Sequence, residues 1–265
     1  MQFLSISGHT IHYKHLPCSP PIGGDGGITF LFINSLGTDF RIWDEVVEQL
    51  NQYGNILLFD KRGHGLSNVA TGTSGLNDFA DDAEALLNHL QINKCIIIGL
   101  SVGGMIAQLL AARIPQKIKG LILCDTRHKI GNEQIWNTRI QQVKENGLAS
   151  ISDSVMQRWF SEKFRNEQPV KVAGYKNMLE RTPAKGYIQT CEAIRDADLT
   201  ETAKQIKIPA LCMVGSEDKS TLPGEVKNLA DLIEGSGYEV IEGSGHIPCV
   251  DNPEALSKLI IDFIK

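Results

Sequence analysis

Short apolar runs alternate along this chain with longer segments whose apolar residues recur at helical spacing. This alternation is typical of strand–helix units on a mostly parallel sheet, since each helix returns the chain to the start of the next strand. The predicted strands are residues 2–6, 10–15, 28–33, 55–59, 94–98, 120–124, 210–214 and 239–241. The predicted helices that follow strands are residues 42–52, 76–90, 102–113, 224–234 and 253–264. The pattern therefore predicts an α/β fold with a mostly parallel, eight-stranded sheet flanked by helices.

A long stretch in the second half of the chain lacks the strand signal. From about residue 125 to residue 203, apolar residues recur at helical spacing, as at Ile135, Ile140 and Val143. We interpret this stretch as a helical cap inserted into the sheet domain. The predicted organisation is a core of residues 1–124, a helical cap of residues 125–203, and a second part of the core at residues 204–265.

The composition narrows the classes of partner. The chain has 265 residues, with 26 Lys and Arg against 31 Asp and Glu, a net charge of −5. Neutralising nucleic-acid phosphates requires a concentrated basic face, and the sequence has no cluster of Lys and Arg. Its apolar runs are far shorter than the roughly 20 residues that span a bilayer, and no signal peptide is visible. We therefore expect a small-molecule partner, and neither a nucleic acid nor a membrane.

The six cysteines are scattered singly, without a Cys-x-x-Cys motif. Reduced, buried thiols of this kind are typical of cytoplasmic proteins, so we expect a cytoplasmic location. The sequence also lacks a His-Glu-x-x-His motif and paired Cys/His spacings, so we expect neither a metal nor a cofactor. No sequence signal indicates an oligomeric state.

The pentapeptide Gly-x-Ser-x-Gly occurs at residues 99–103, directly after a predicted strand and directly before a predicted helix. Glycines at these positions permit the tight, strained turn that lifts the Ser101 hydroxyl above the sheet. The alternative is an ordinary serine in a tight strand–helix turn. We predict that Ser101 is a nucleophile, and a nucleophilic hydroxyl requires a base to accept its proton.

A base and an acid follow Ser101 in the chain. His246 lies in a glycine-rich loop after the last predicted strand, and no other histidine follows both Ser101 and a plausible acid. Asp218 comes directly after the strand at 210–214, and its neighbour Glu217 is the competing candidate. We predict a catalytic triad of Ser101, His246 and Asp218, in the chain order expected for this strand–turn–helix architecture.

Acyl transfer also requires donors for the tetrahedral oxyanion, usually two backbone N–H groups. The loop after the third strand is placed to supply one from Leu36, and the start of the helix after Ser101 supplies the other from Val102. A charged, glycine-rich loop at 60–67 follows the fourth strand. We interpret that loop as structural.

Together these motifs resemble the α/β-hydrolase superfamily, and within it the 3-oxoadipate enol-lactonases. The segments that carry the second resemblance are NSLGTD at 34–39, RIWD at 41–44, GLSVGGM at 99–105, KIG at 129–131, WNTRI at 136–140, RWF at 158–160 and AIRDAD at 193–198. The resemblance implies an α/β-hydrolase core with a helical cap. It also implies hydrolysis that opens an enol-lactone ring in the β-ketoadipate pathway of aromatic compound catabolism.

The substrate of these enzymes carries a free carboxylate, which requires a cation or several N–H donors in the pocket. The family-like segments offer Arg41, Arg139 and Arg195 as candidates, each with a surface or interdomain salt bridge as the alternative. Trp136 is expected to wall the pocket or to pack within the cap.

Three places depart from the family pattern. Val102 stands where methionine is expected, residues 125–128 replace a small, uncharged stretch, and residues 247–249 differ after the histidine. Arg127 and His128, at the predicted junction of core and cap, could alter substrate choice. Two other functions stay open: a broader carboxylesterase or other lactonase with the same triad, and a ligand-binding receptor on this scaffold.

Overall fold

The computed structural model describes residues 1–6, 8–19 and 27–265. These residues form an eight-stranded sheet with the strand order β1-β2-β4-β3-β5-β6-β7-β8. The β1–β2 and β2–β4 pairs are antiparallel, and every later pair is parallel. The strands are β1 (Gln2–Ile6), β2 (His9–Leu16), β3 (Thr29–Ile33), β4 (Asn55–Phe59), β5 (Cys95–Leu100), β6 (Ile118–Cys124), β7 (Ala210–Gly215) and β8 (Gly237–Ile241). The predicted mostly parallel sheet is therefore confirmed.

Apart from Thr29, the central strands β3, β5 and β7 are apolar, because both faces of the sheet are covered. Every residue of β3, β5 and β7 is buried, and their sequences are continuous apolar runs rather than alternating ones. In the parallel register, Ile33 pairs with Gly99, and Leu100 pairs with Cys124. The carboxyl ends of these strands therefore meet at one edge of the sheet, where their following loops come together.

Twelve α-helices lie in the described residues. They are α1 (Asp44–Leu50), α2 (Leu76–His89), α3 (Val102–Arg113), α4 (Glu133–Asn146), α5 (Ala149–Trp159), α6 (Glu162–Glu167), α7 (Pro169–Glu180), α8 (Ala184–Arg195), α9 (Thr200–Gln205), α10 (Pro223–Leu232), α11 (Pro248–Asp251) and α12 (Pro253–Ile264). The helices predicted at 102–113 and 253–264 have the predicted bounds. Helix α1 is shorter than predicted, because residues 40–43 wind as a tighter 3-10 turn whose N-terminus is capped by the Asp39 side chain.

Helices α4 to α9 fill the stretch between β6 and β7, as the helical periodicity predicts. Helix α4 contacts α5 and α8, and α5 contacts α7, so these helices pack on one another. Helix α9 instead contacts α3 and α10, which lie against the sheet. The division of the chain at residues 125 and 203 stays a prediction.

Two sequence predictions fall partly outside the described residues. The turn between the first two strands includes residue 7, and the predicted loop at 17–27 includes residues 20–26.

Among the residues that the structure describes, no helix combines the length and apolar character needed to cross a bilayer.

Candidate active site

Ser101 forms the turn between β5 and α3. Its backbone has φ 57° and ψ −120°, a conformation that L residues rarely adopt and that costs about 1–3 kcal/mol. Its N–H donates to the Cys124 carbonyl at 3.0 Å, and the Thr126 hydroxyl donates to the Ser101 carbonyl at 2.6 Å. Both backbone groups of Ser101 are thus tied to the end of β6 and the segment that follows it, which holds the strained turn in place.

The glycines around Ser101 are required by close approach. A Cβ at Gly99 would lie 2.5 Å from the Gly103 carbonyl oxygen, and a Cβ at Gly104 would lie 2.5 Å from the Thr126 side chain. A Cβ at Gly103 would overlap the backbone carbonyl of Ile33. Only glycine fits these positions, so helix α3 begins directly against the ends of β3 and β5.

His246 and Asp218 form a buried pair at the same edge of the sheet. His246 Nδ1 lies 2.8 Å from Asp218 Oδ2. The other carboxylate oxygen accepts from the N–H groups of Ser220, at 2.7 Å, and Thr221, at 3.1 Å. Burial alone would raise the pKa of Asp218, but the His246 charge and these hydrogen bonds lower it below its usual value. Asp218 is therefore an ionised acceptor that orients the imidazole. The competing acid Glu217 is exposed, and its carboxylate accepts from a backbone N–H at Glu162.

The loop that carries His246 is fastened from two directions. The carboxylate of Asp251 accepts from the Gly245 N–H at 2.7 Å and from the Ser161 hydroxyl at 2.9 Å. The Ile247 N–H donates to the carbonyl of Trp159 at 3.1 Å. The imidazole position is thus fixed by the end of helix α5 as well as by the sheet.

Ser101 and His246 border a cavity of about 260 Å³ between the sheet edge and the helices after β6. In the described structure no hydrogen bond joins the Ser101 hydroxyl to the His246 ring. Such hydrogen bonds often tighten only when substrate binds. The cavity is lined by Ser35, Leu36, Ser101, Ile130, Gly131, Ile135, Trp136, Arg139, Val155, Arg158, Trp159, Tyr187, Ile194, Lys219, Ser220, Thr221 and His246.

Of the two predicted oxyanion donors, Val102 directly follows Ser101 in the chain, and Leu36 lines the same cavity as Ser101. Val102 is the first residue of helix α3, where an N–H group has no partner within the helix. Leu36 lines the cavity, and its N–H donates to no acceptor within the described ranges. Both N–H groups are available to a ligand atom, which is what an oxyanion site requires.

The helical side of the cavity carries cations. Arg139 and Trp136, both predicted for substrate contact, line the cavity, and the Arg139 guanidinium lies 5.2 Å from the Trp136 ring centroid. Arg158, on α5, lines the same cavity, and burial together with the Arg139 charge lowers its pKa to about 10. Among the described lining residues there is no Asp or Glu. Two guanidinium groups therefore face one cavity without a protein anion between them.

The prediction from sequence omitted Arg158. Its signal is present, because Arg158 stands in the RWF segment that resembles the enol-lactonases and directly precedes two buried aromatic residues. The structure does not bring Arg41 or Arg195 to this cavity. Arg41 is largely exposed and pairs with Asp39 at 2.6 Å, while Arg195 pairs with its neighbour Asp196 at 2.7 Å. Each lies beside a different cavity of the described structure.

The two departures at the core–cap junction also lie outside the cavity lining. The Arg127 guanidinium pairs with Glu225 at 2.6 Å, and His128 is half-buried nearby. The third charged residue of that stretch, Asp125, is fully buried, and its Oδ1 accepts from the Gly215 N–H at 2.9 Å. Burial, together with the charge of Asp218, raises the pKa of Asp125 well above its usual value.

Ligand atoms of Asp125, Asp218 and His246 lie within 4.8 Å of one another, close enough for a cation to bridge them. Two of the three residues, His246 and Asp218, already share a hydrogen bond. Burial and the Asp218 charge favour the neutral form of Asp125, which is a weaker metal ligand than a carboxylate. This cluster is therefore better suited to sharing protons than to holding a metal.

Residues 28–253 match the family model described as the alpha/beta hydrolase fold. The chain belongs to the α/β-hydrolase family. Its similarity to 3-oxoadipate enol-lactonase 2 of Acinetobacter baylyi is 34% identity over 89% of this chain and 88% of that protein. The chain is also 32% identical to 3-oxoadipate enol-lactonase 1 of the same organism, over 92% of this chain and 91% of that protein. The enol-lactonase structure from Burkholderia xenovorans superposes with a TM-score of 0.94 at 31% identity, covering 99% of both chains.

These matches confirm the predicted resemblance and the fold class. They extend over nearly the whole of this α/β-hydrolase, so they include the helices after β6 as well as the sheet. The cavity with Ser101, His246 and the two arginines is thus built by the matched part of the chain.

Proposed function

We propose that this α/β-hydrolase opens 3-oxoadipate enol-lactone to 3-oxoadipate. The observation that carries the proposal is one cavity in which Ser101, on a strained turn, meets the His246–Asp218 pair opposite Arg139 and Arg158. The Ser101, His246 and Asp218 side chains suit acyl transfer. The two arginines suit a substrate that carries a carboxylate. The similarity to relatives named 3-oxoadipate enol-lactonase over about 90% of the chain supports this substrate.

The proposed reaction proceeds in two steps. Ser101 Oγ attacks the lactone carbonyl while His246 accepts its proton, and the N–H groups of Leu36 and Val102 stabilise the oxyanion. The carbonyl carbon keeps its new bond to Oγ, and the bond to the ring oxygen breaks. An enolate leaves more readily than an alkoxide, so this step needs little acid assistance; the enolate then takes the proton from His246 and tautomerises to the ketone, which frees the imidazole to act as a base again. Water activated by His246 then hydrolyses the acyl-enzyme and restores Ser101.

Arg139 and Arg158 are proposed to bind the free carboxylate of the substrate. The two guanidinium groups repel each other across the cavity, and burial first and the Arg139 charge second lower the pKa of Arg158. An anion between them relieves that repulsion and accepts charge-assisted hydrogen bonds. Trp136 fixes one of the two by its contact with the Arg139 guanidinium.

The test is hydrolysis of 3-oxoadipate enol-lactone, followed as loss of the enol absorbance. Wild-type protein should turn the lactone over, and Ser101→Ala should lose at least about 10⁴-fold in kcat while remaining folded. Ser257→Ala is the matched control, because this buried serine lies in α12, away from the cavity. A folded wild-type protein that leaves the lactone intact would contradict the proposed substrate.

A panel of neutral aryl esters separates this proposal from a broader carboxylesterase. The paired arginines predict that a substrate with a carboxylate is preferred over a neutral ester of similar size. Strong turnover of the neutral esters with none of the enol-lactone would assign the same triad to a broader esterase. Binding without turnover of either substrate class would favour a receptor.

We also propose that the protein works in the cytoplasm, in the breakdown of aromatic compounds. All six cysteines lie in the described residues, each is free, and each is buried. Burial raises the pKa of the Cys124 and Cys249 thiols well above their usual values. Buried free thiols fit a reducing compartment.

A further inference from the structure

Lys61 is a fully buried cation in the loop after β4, with no exposed surface. Burying an ammonium group is costly unless its charge has a specific partner. The Lys61 Nζ donates to the carbonyl oxygen of Ser35 at 2.5 Å. This contact joins the charged loop at 60–67 to the loop after β3, which borders the cavity.

The accepting carbonyl belongs to the peptide group that also carries the Leu36 N–H. The same oxygen accepts a second hydrogen bond, from the Thr38 hydroxyl at 2.9 Å. Hydrogen bonds to a peptide oxygen polarise the whole group, so its N–H becomes a stronger donor, and the effect is larger in a buried site. Lys61 thus acts on the Leu36 N–H through a single peptide group.

The charged groups that face Lys61 come from its own loop and from the segment after β3. Burial lowers the pKa of Lys61 to about 7, although the charges of Asp60 and Asp39 oppose that shift. Each of these carboxylates has a second partner, His12 for Asp60 and Arg41 for Asp39.

His64 also lies near Lys61. Its buried ring accepts a hydrogen bond from the Gly37 N–H at 3.0 Å. Burial and the Lys61 charge lower the pKa of His64 well below its usual value, so the imidazole is neutral. His64 therefore adds no positive charge beside Lys61 near neutral pH.

We propose that Lys61 is a positioning residue that polarises the peptide group between Ser35 and Leu36 and so strengthens the Leu36 N–H as an oxyanion donor. The inference rests on the proposed function, because it requires an oxyanion formed by attack of Ser101. Lys61 itself exchanges no proton with the substrate. Its ammonium form polarises the peptide more strongly than its neutral amine, so the donor weakens as Lys61 loses its proton.

The test compares Lys61→Met with wild type in hydrolysis of p-nitrophenyl acetate. Methionine keeps the length and the apolar stem but removes the charge and the hydrogen bond. The oxyanion exists only near the transition state, so kcat should fall about three- to tenfold, less than the roughly 10²–10³-fold of a lost donor. The KM should stay within twofold. Lys258→Met, at an exposed position of α12, should leave both constants unchanged.

The pH dependence of kcat distinguishes polarisation from a structural role. In wild type, kcat should decline above pH about 7 as Lys61 loses its charge. Lys61→Met should lose this decline. A variant kcat within twofold of wild type, a decline that persists in the variant, or a KM that rises as much as kcat falls would each overturn the proposal.

The choice of an aryl ester keeps this test separate from that of the enol-lactone, since the oxyanion forms on any acyl substrate. If Lys61→Met does not fold, the Leu36 amide can be followed by NMR in His246→Gln protein. Its nitrogen and proton shifts should titrate with a midpoint near 7, the value to which burial lowers the pKa of Lys61. Shifts that stay constant between pH 6 and 8.5 would overturn the proposal.

Discussion

The two sides of the cavity differ in how they are built. On the sheet side, Ser101, Asp218 and His246 stand on short loops that follow strands, and backbone hydrogen bonds fix those loops. On the helical side, Trp136, Arg139 and Arg158 project from α4 and α5, held mainly by side-chain packing. We propose that the first side carries out the chemistry and that the second selects the substrate.

This difference predicts that changes on the sheet side abolish kcat, whereas changes on the helical side alter KM. His246→Gln should lower kcat by at least about 10⁴-fold for every substrate, because the described residues that line the cavity include no other histidine and no carboxylate. Kinetics with the enol-lactone and with p-nitrophenyl acetate test this expectation. His89→Gln, at the exposed end of α2, is the control. Loss with only one of the two substrates would break the distinction between the sides.

Arg139→Met and Arg158→Met should raise the KM for the enol-lactone by about 10- to 100-fold each, the equivalent of one charge-assisted hydrogen bond. The KM for a neutral ester should change little. The matched controls are Arg41→Met and Arg195→Met, since these arginines lie beside other cavities. An effect of equal size in the controls would show that the helical side does not select the carboxylate.

A smaller effect, on the stability of the fold, is expected where helix α8 touches the loop after β4. A Cβ at Gly186, in α8, would overlap the backbone of Gly63 in the loop after β4. Gly186→Ala should therefore destabilise the fold by about 1–3 kcal/mol, measured as a lower denaturant midpoint. Gly174→Ala, in α7, meets nothing within 4 Å and should stabilise by about 0.5–1 kcal/mol. Equal shifts in the two variants would argue against a tight contact between the loop and α8.

The smallest expected effect concerns the neutral acid Asp125. Its raised pKa means that the native state holds its proton more tightly than the unfolded chain, so stability declines as pH rises above about 4. Asp125→Asn removes that cost and still offers an oxygen to the Gly215 N–H. The gain in Tm should be larger at pH 8 than at pH 5, and at pH 8 should reach about 2–4 °C. A gain that does not change with pH would contradict a raised pKa.

The same contrast explains what could be predicted from the sequence. The strands, helices α3 and α12, and the positions of Ser101, Asp218 and His246 follow from local patterns, because each residue is tied to the end of a strand. For helices that pack on other helices, the side that faces the cavity is decided by tertiary contacts. The sequence offers Arg139 and Arg195 equally as candidates for binding the substrate carboxylate. Of the two, only Arg139 lines the cavity.

Burial of charge is the second feature that local patterns do not reveal. The residue type alone predicts that Lys61 lies on the surface, where most lysines are found. Its burial depends on the Ser35 carbonyl and on Asp39 and Asp60, which meet only in the folded chain. The structural role of the loop at 60–67 stays a prediction, and through Lys61 the loop contacts the Ser35 carbonyl beside the cavity.

The distribution of the buried thiols has a practical consequence. Cys95, Cys124 and Cys212 lie in three adjacent strands of the sheet, whereas Cys191 lies in helix α8. Because alkylation requires an accessible thiolate, each site reacts only when its surroundings open. The labelling rate of Cys191 therefore reports the opening of the helices after β6, and the rates of the three strand cysteines report the opening of the sheet. Comparing these rates shows whether the helices can detach while the sheet stays closed.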